Sequence, residues 1–218
     1  MNSPALDINN LSFRYSGRET PEAFTLSVPA LKLEPGAQML LAATSGKGKS
    51  TLLSLIAGLM EPQSGSIAIA GQNIHALQGA ARDKFRGQHI GMIFQTFNLL
   101  HGFSALENIM AALMFSDVPA KEHANRAGVL LNSLGIERIK AEVGTLSAGQ
   151  QQRVAVARAV ACGPALVLAD EPTASLDPEN AAIAMELIQK TCREKNAALL
   201  CVSHDPAMWG RFEVKQNL

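Results

Sequence analysis

ATSGKGKST, residues 43–51, follows a short apolar run, QMLLAA (38–43), and leads into a second one, LLSLIAGL (52–59). The first run has the length and uniform apolarity of a strand covered on both faces, and the second reads as a helix. Between them Gly48, Lys49 and Ser50 fit the GxxxxGK[ST] pattern of a strand, a phosphate-wrapping loop and a helix. Backbone N–H groups must converge on phosphate oxygens at the helix N-terminus, which bulky side chains would obstruct. Lys49 would reach the β- and γ-phosphates, and Ser50 would offer its hydroxyl to Mg²⁺. The nucleotide-binding set is therefore Ala43, Thr44, Ser45, Gly46, Lys47, Gly48, Lys49, Ser50 and Thr51. Ala43 replaces the first glycine of the pattern, the smallest possible departure, and Lys47 places a second cation inside the loop.

The chain has 218 residues, which suits one large domain with an embedded subdomain. With 47% hydrophobic and 17% charged residues it has the makings of a real core, so wholesale disorder is excluded. Nineteen basic residues balance nineteen acidic ones, leaving no cationic surplus for a phosphate backbone and making nucleic acid an unexpected ligand. Residues 87–106 lack charge, but Gln88, His89, Gln95, Asn98 and His101 punctuate them, so no transmembrane helix is expected. The opening MNSPALDINN has neither a basic nor an apolar region of a signal peptide, which predicts a cytosolic chain. Cys162, Cys192 and Cys201 form no CxxC pair and are expected to be reduced, mostly buried thiols.

Two further apolar runs, ALVLA (165–169) and AALLCVS (197–203), read as strands of the same kind, and each is followed by polar residues. Parallel α/β sheets bind ligands at the carboxyl ends of their strands, so this placement carries function. The first 35 residues and GSIAIAGQNI (65–74) have alternating or β-rich patterns with turn residues, and predict a small antiparallel sheet. Residues 104–161 read as helical, with Pro119 suited to a first helical turn and Ala124, Ala127, Leu130, Leu131 and Leu134 at helical spacing. The expected organisation is one α/β domain over 1–218. Residues 1–94 and 162–218 form its nucleotide-binding core and β-subdomain, and 95–161 an inserted helical subdomain.

LSAGQ (146–150) and ALVLADEP (165–172) follow the phosphate loop in an order and spacing that resemble the nucleotide-binding domain of ABC transporters. The resemblance runs from about Leu6 to Asp205. It implies a P-loop NTPase with a RecA-like core, an antiparallel β-subdomain and an inserted α-helical subdomain, binding ATP and Mg²⁺. Asp170 then resembles the Walker B aspartate that holds Mg²⁺ through water, and Glu171 the catalytic glutamate that orients the attacking water. Gln95 in GMIFQTFNLL resembles the glutamine that senses Mg²⁺ and links core to helical subdomain, and His204 the histidine that contacts the γ-phosphate. The metal set would be Ser50, Gln95 and Asp170. Tyr15 stands where the family stacks an aromatic ring on adenine. Ser147, Ala148, Gly149 and Gln150, with Asp177 of ASLDP, would face ATP held by a second subunit; Ala148 replaces the usual glycine. His75, His89, His101 and His123 match no motif and are expected to be structural or solvated.

Such domains act in head-to-tail pairs, so the resemblance implies a second ABC ATPase subunit, most simply a homodimer. It also implies separate integral membrane subunits docked near Gln95, with Asn98, Leu99, Leu100, Phe103 and Leu106 as contact candidates, and a peripheral place on the cytoplasmic side of the inner membrane. FQTFNLLHGFSALENI (94–109) is most similar to the lipoprotein-release, macrolide-efflux and FtsE-like branch. Three functions stay open: an ATP-driven export or extraction motor, an FtsE-like ATPase that signals through a membrane partner without transport, and a weakly hydrolysing ATP-gated clamp suggested by Ala43 and Lys47.

Overall fold

The computed structural model describes residues 3–15, 25–42, 46–174 and 176–218. Strand β1 (Leu6–Arg14) pairs antiparallel with β2 (Thr25–Leu33) on one side and β4 (Ser64–Ile69) on the other, and β4 turns back into β5 (Gln72–Asn73). The inward residues of β1 switch from Leu6 and Ile8 to Leu11 and Phe13, a change of parity that would turn one end of a regular strand outward. An irregularity in the pairing with β4 between Asn9 and Ser12 absorbs the extra residue, with Asn10 at φ 48°. Gly65 crosses there, where a Cβ would lie 2.4 Å from the Asn10 carbonyl oxygen.

The second sheet is wholly parallel among the described residues. Its order is β6 (Ile90–Ile93), β7 (Leu166–Asp170), β8 (Ala198–Ser203), β3 (Gln38–Ala42) and β9 (Val214–Asn217). The three apolar runs of the sequence are thus its central strands. Helix α1 (Lys49–Ile56) lies between the two sheets, with Leu52, Leu53, Leu55 and Ile56 all buried against residues such as Ile8, Leu168 and Leu200. Burying one such side chain contributes about 1.5–3 kcal/mol, so this seam fixes the helix whose first turn carries Lys49 and Ser50.

On the opposite face of the parallel sheet α5 (Ala148–Val160) and α6 (Pro178–Glu194) supply Val156, Met185 and Ile188. Gly91 lets α5 approach β6, since a Cβ there would meet the Ala159 carbonyl oxygen at 2.1 Å. A third cluster joins Leu99, Ile109 of α3 (Ala105–Leu113), Leu131 of α4 (His123–Ser133) and Val154 of α5. Helix α2 (Gly79–His89) runs into β6. Pro119 departs from its expected place: it precedes a 3₁₀ turn, Ala120–Glu122, that leads into α4. Its fixed φ suits that entry as well as a helical first turn. Cys192 and Cys201 are buried and Cys162 is half-buried, all three as free thiols. No helix among the described residues is long and apolar enough to cross a membrane.

Candidate active site

Residues Ala43, Thr44 and Ser45 lie outside the described residues, and the rest of the phosphate loop is seen from Gly46 onward. Gly46 (φ 80°) and Gly48 (φ 84°) hold left-handed backbone that a side chain would strain, and Gly48 is the N-cap of α1 with no side chain to cover its amides. The first turn of α1 therefore sets the positive end of its dipole, with N–H groups that no side chain caps, beside Lys49 and Ser50. At its other end α1 is pinned. His75 Nε2 meets the Leu55 carbonyl oxygen at 3.0 Å and its Nδ1 meets Glu61 at 3.0 Å, while Arg86 donates to the Ala57 carbonyl at 3.4 Å.

β7 ends in Asp170 and the chain then turns sharply, with Glu171 at φ 46° and its amide bonded to the Val202 carbonyl at 2.9 Å. A left-handed glutamate is strained backbone, which persists only where surroundings over-determine it. Here they do. The Glu171 carboxylate pairs with Lys49, accepts from Ser203 Oγ at 3.1 Å and lies 2.6 Å from His204 Nδ1. Burial pushes this carboxyl upward, but the bonds from His204, Lys49 and Ser203 and the Lys49 charge outweigh it, so it sits below the ordinary carboxylate value. Ser50 Oγ donates to Asp170 Oδ2 at 2.8 Å. The ends of two neighbouring strands and the start of α1 thus bring six polar side chains to one edge of the sheet.

All of them except the buried Ser203 line a cleft of about 620 Å³, which also takes in Gln95, Gly46, Gly48, Thr51 and Tyr15. Tyr15 is half-exposed, its hydroxyl 2.8 Å from Thr51 Oγ1 and its ring edge-on to Phe13, which is buried in the small sheet. Lys47 is exposed and lines a neighbouring cleft with Asp205 and Trp209. The cleft does not include Ser147, Ala148, Gly149, Gln150 or Asp177 of the same chain. Ser147 caps α5 through a reciprocal box with Gln150, and Asp177 caps α6 through the Asn180 amide at 3.1 Å. Of the docking candidates, Leu100 and Phe103 are exposed, Leu99 is buried in the helical cluster and Leu106 packs against it. Ser203 is the site residue that the motifs did not reveal; its position directly before His204 at the end of β8 is the signal that could have found it.

A glycine-bracketed loop feeding a helix at the carboxyl edge of a parallel sheet, with a buried carboxylate opposite its lysine, defines a P-loop nucleoside triphosphatase. Comparison with known proteins narrows the class. The ABC transporter family matches residues 26–174. The lipoprotein-releasing system ATP-binding protein LolD of Hahella chejuensis is 36% identical over 220 residues, covering 100% of this chain and 94% of the relative. The LolD protein of Pseudomonas fluorescens is 40% identical over 192 residues, covering 87% and 85%. Among solved structures, the dimeric MJ0796, a bacterial ABC transporter cassette, superposes with a TM-score of 0.83 at 32% identity, over 98% of this chain and 94% of that one. A post-hydrolysis dimer of MJ0796 bound to ADP and Pi gives 0.80 at 31%, with the same coverage. The chain belongs to the ABC transporter family, of which it is an ATP-binding domain.

Proposed function

We propose that this chain is the ATP-hydrolysing subunit of a transporter that exports or extracts its substrate through separate membrane subunits, acting as a homodimer on the cytoplasmic face of the inner membrane. The observation that carries the catalytic part is the meeting of Lys49 and Glu171 in one cleft with Ser50 and Asp170 beside them. The likeness to LolD proteins and to dimeric cassettes supports the rest.

ATP would lie with its phosphates on residues 43–51, drawn by the α1 amides and by Lys49, and its adenine against the Tyr15 ring. Serine and aspartate oxygens 2.8 Å apart at the open cleft wall are the hard donors that suit Mg²⁺, which keeps most of its waters. Ser50 and Asp170, with Gln95, would hold the ion, whose charge offsets that developing on the phosphates. Once Lys49 moves to the phosphates, the Glu171 carboxylate is released to accept a hydrogen bond from water, aligning its oxygen with the γ-phosphorus. The water oxygen bonds to phosphorus as the bond to the bridging oxygen breaks, and ADP and phosphate leave. The contacts of Glu171 with Ser203 and His204, which do not depend on Lys49, favour its ionised form, as this role requires. His204 would contact the γ-phosphate from the other side of Glu171. Ser147, Ala148, Gly149, Gln150 and Asp177 would serve the ATP of the partner subunit. Residues 95–161 would carry motion from Gln95 to the membrane subunits at Leu100 and Phe103.

The test is Glu171→Gln. We expect turnover to fall at least a hundredfold, as for a group acting mainly in the transition state, with ATP still bound and an ATP-dependent dimer stable on gel filtration. Captured from native membranes with ATP and Mg²⁺, that dimer should bring an integral membrane subunit with it. Hydrolysis at the parent rate would refute the catalytic assignment, and recovery of the dimer without any membrane protein would refute the transport reading. A parent chain that binds ATP and scarcely turns it over would favour the clamp.

A further inference from the structure

Phe97 and Asn98 follow Gln95 in sequence, and both hold left-handed backbone, at φ 58° and 47°. Two such residues in a row, one of them a bulky aromatic, are costly for L-amino acids unless something outside the segment holds them. Local bonds do part of this: the Asn98 amide reaches the Thr96 carbonyl at 2.6 Å and Thr96 Oγ1 donates to Asn98 Oδ1 at 2.8 Å. The Phe97 amide also reaches the Phe94 carbonyl at 3.1 Å, and two further bonds come from far along the chain. Arg158, near the C-terminal end of α5, donates through one guanidinium nitrogen to the Asn98 carbonyl at 2.5 Å and through the other to the Phe97 carbonyl at 2.9 Å. A planar fork that bonds two successive carbonyls fixes the orientation of both peptide planes, which a single ammonium could not do.

We propose that Arg158 is a positioning residue: its guanidinium holds the 97–98 backbone in the strained form that sets how Gln95 enters the cleft. The inference rests on the reading of Gln95 as a residue of the ATP site. It also gives α5 two attachments to the catalytic edge, since the buried Gln152 of the same helix donates to the Pro172 carbonyl at 3.3 Å, one residue beyond Glu171. The helix capped by Ser147 therefore touches both the loop of Gln95 and the turn of Glu171.

The test uses the full chain and steady-state ATPase kinetics. Arg158→Met should lower kcat about tenfold with KM for ATP within about threefold of the parent, the pattern of a misplaced group rather than of lost binding. Adding Asn98→Gly or Phe97→Gly to Arg158→Met supplies no contact, but it removes the cost of left-handed backbone, so at least one of them should recover about threefold or more of kcat. A structural role alone predicts no recovery from glycine. Unchanged kcat in Arg158→Met overturns the proposal, and so does a lowered kcat that neither glycine restores. Gln95→Ala is measured alongside: parent-like kcat there would remove the reading of Gln95 itself, whereas a lowered kcat with parent-like Arg158→Met removes only this inference.

Discussion

Glu171 takes a hydrogen bond from Ser203, close approach from His204 and an ion pair from Lys49 on two oxygens, in a side chain that is 10% exposed. Its neighbours favour the ionised form more than burial disfavours it, so folding lowers its proton affinity relative to the ordinary value of 4.5. The linkage has a definite sign. A carboxyl lowered on folding contributes stability that is fully present above the unfolded value and is lost as pH falls through the lower folded one. Glu171→Gln should therefore lower Tm at neutral pH, by about 2–4 °C for each kcal/mol removed. The gap between parent and variant should close as pH falls below the ordinary carboxylate value. Thermal scans across the folded pH range check this, and a gap of constant size would show that shape rather than charge is being lost. Ser203 shows why one residue of the site stayed hidden: a serine before a histidine carries no motif, and only the pairing of β7 with β8 brings it to Glu171.

Helix α5 falls within the 104–161 stretch that the sequence marks as helical, and it starts at a reciprocal box of Ser147 and Gln150. The central strands were legible too, because apolar runs of five to seven residues have few other uses in a chain of this charge. What escaped the sequence depends on distant partners. The irregularity at Asn10 compensates a parity change whose partner strand is more than fifty residues away, and the grip of Arg158 on the Phe97 carbonyl spans 61 positions. Ser147 caps α5, and substitution can separate that cap from the role proposed for it at a partner's ATP. Ser147→Ala removes the cap and should cost about 1 kcal/mol of stability. Ser147→Asp caps as well as serine, so chemical denaturation should show little loss, but it would face a partner's γ-phosphate with a carboxylate. ATP-dependent dimerisation of Ser147→Asp should accordingly fall tenfold or more, read by sedimentation of the Glu171→Gln background. Equal dimerisation of Ser147→Asp and parent would leave Ser147 with its cap alone.

Across the whole molecule, the phosphate loop and the α5 terminus are parts of one chain that do not share a cleft, as Ser147 and Asp177 are absent from the lining that gathers Lys49 and Glu171. A head-to-tail pair would bring the loop of each copy to the α5 terminus of the other, forming two composite sites. That geometry predicts rescue between two dead proteins. Lys49→Ala removes the lysine of its own site and leaves its α5 terminus intact, whereas Ser147→Asp spoils the terminus it lends and leaves its own loop intact. Each homodimer should be inactive. In a mixed dimer, one site combines both defects and the other has neither. At chain concentrations high enough to saturate pairing despite the weaker dimerisation of Ser147→Asp, random pairing of equal amounts makes half the dimers mixed, each with one of two sites whole, so the mixture should regain about a quarter of the parent rate if the sites act independently. ATPase assays on the variants alone and after co-incubation measure this directly. No recovery on mixing, with mixed dimers shown by differential tagging, would mean that each chain hydrolyses ATP with its own residues alone or that the two sites must fire together. Recovery near a quarter would establish the composite site from rates alone.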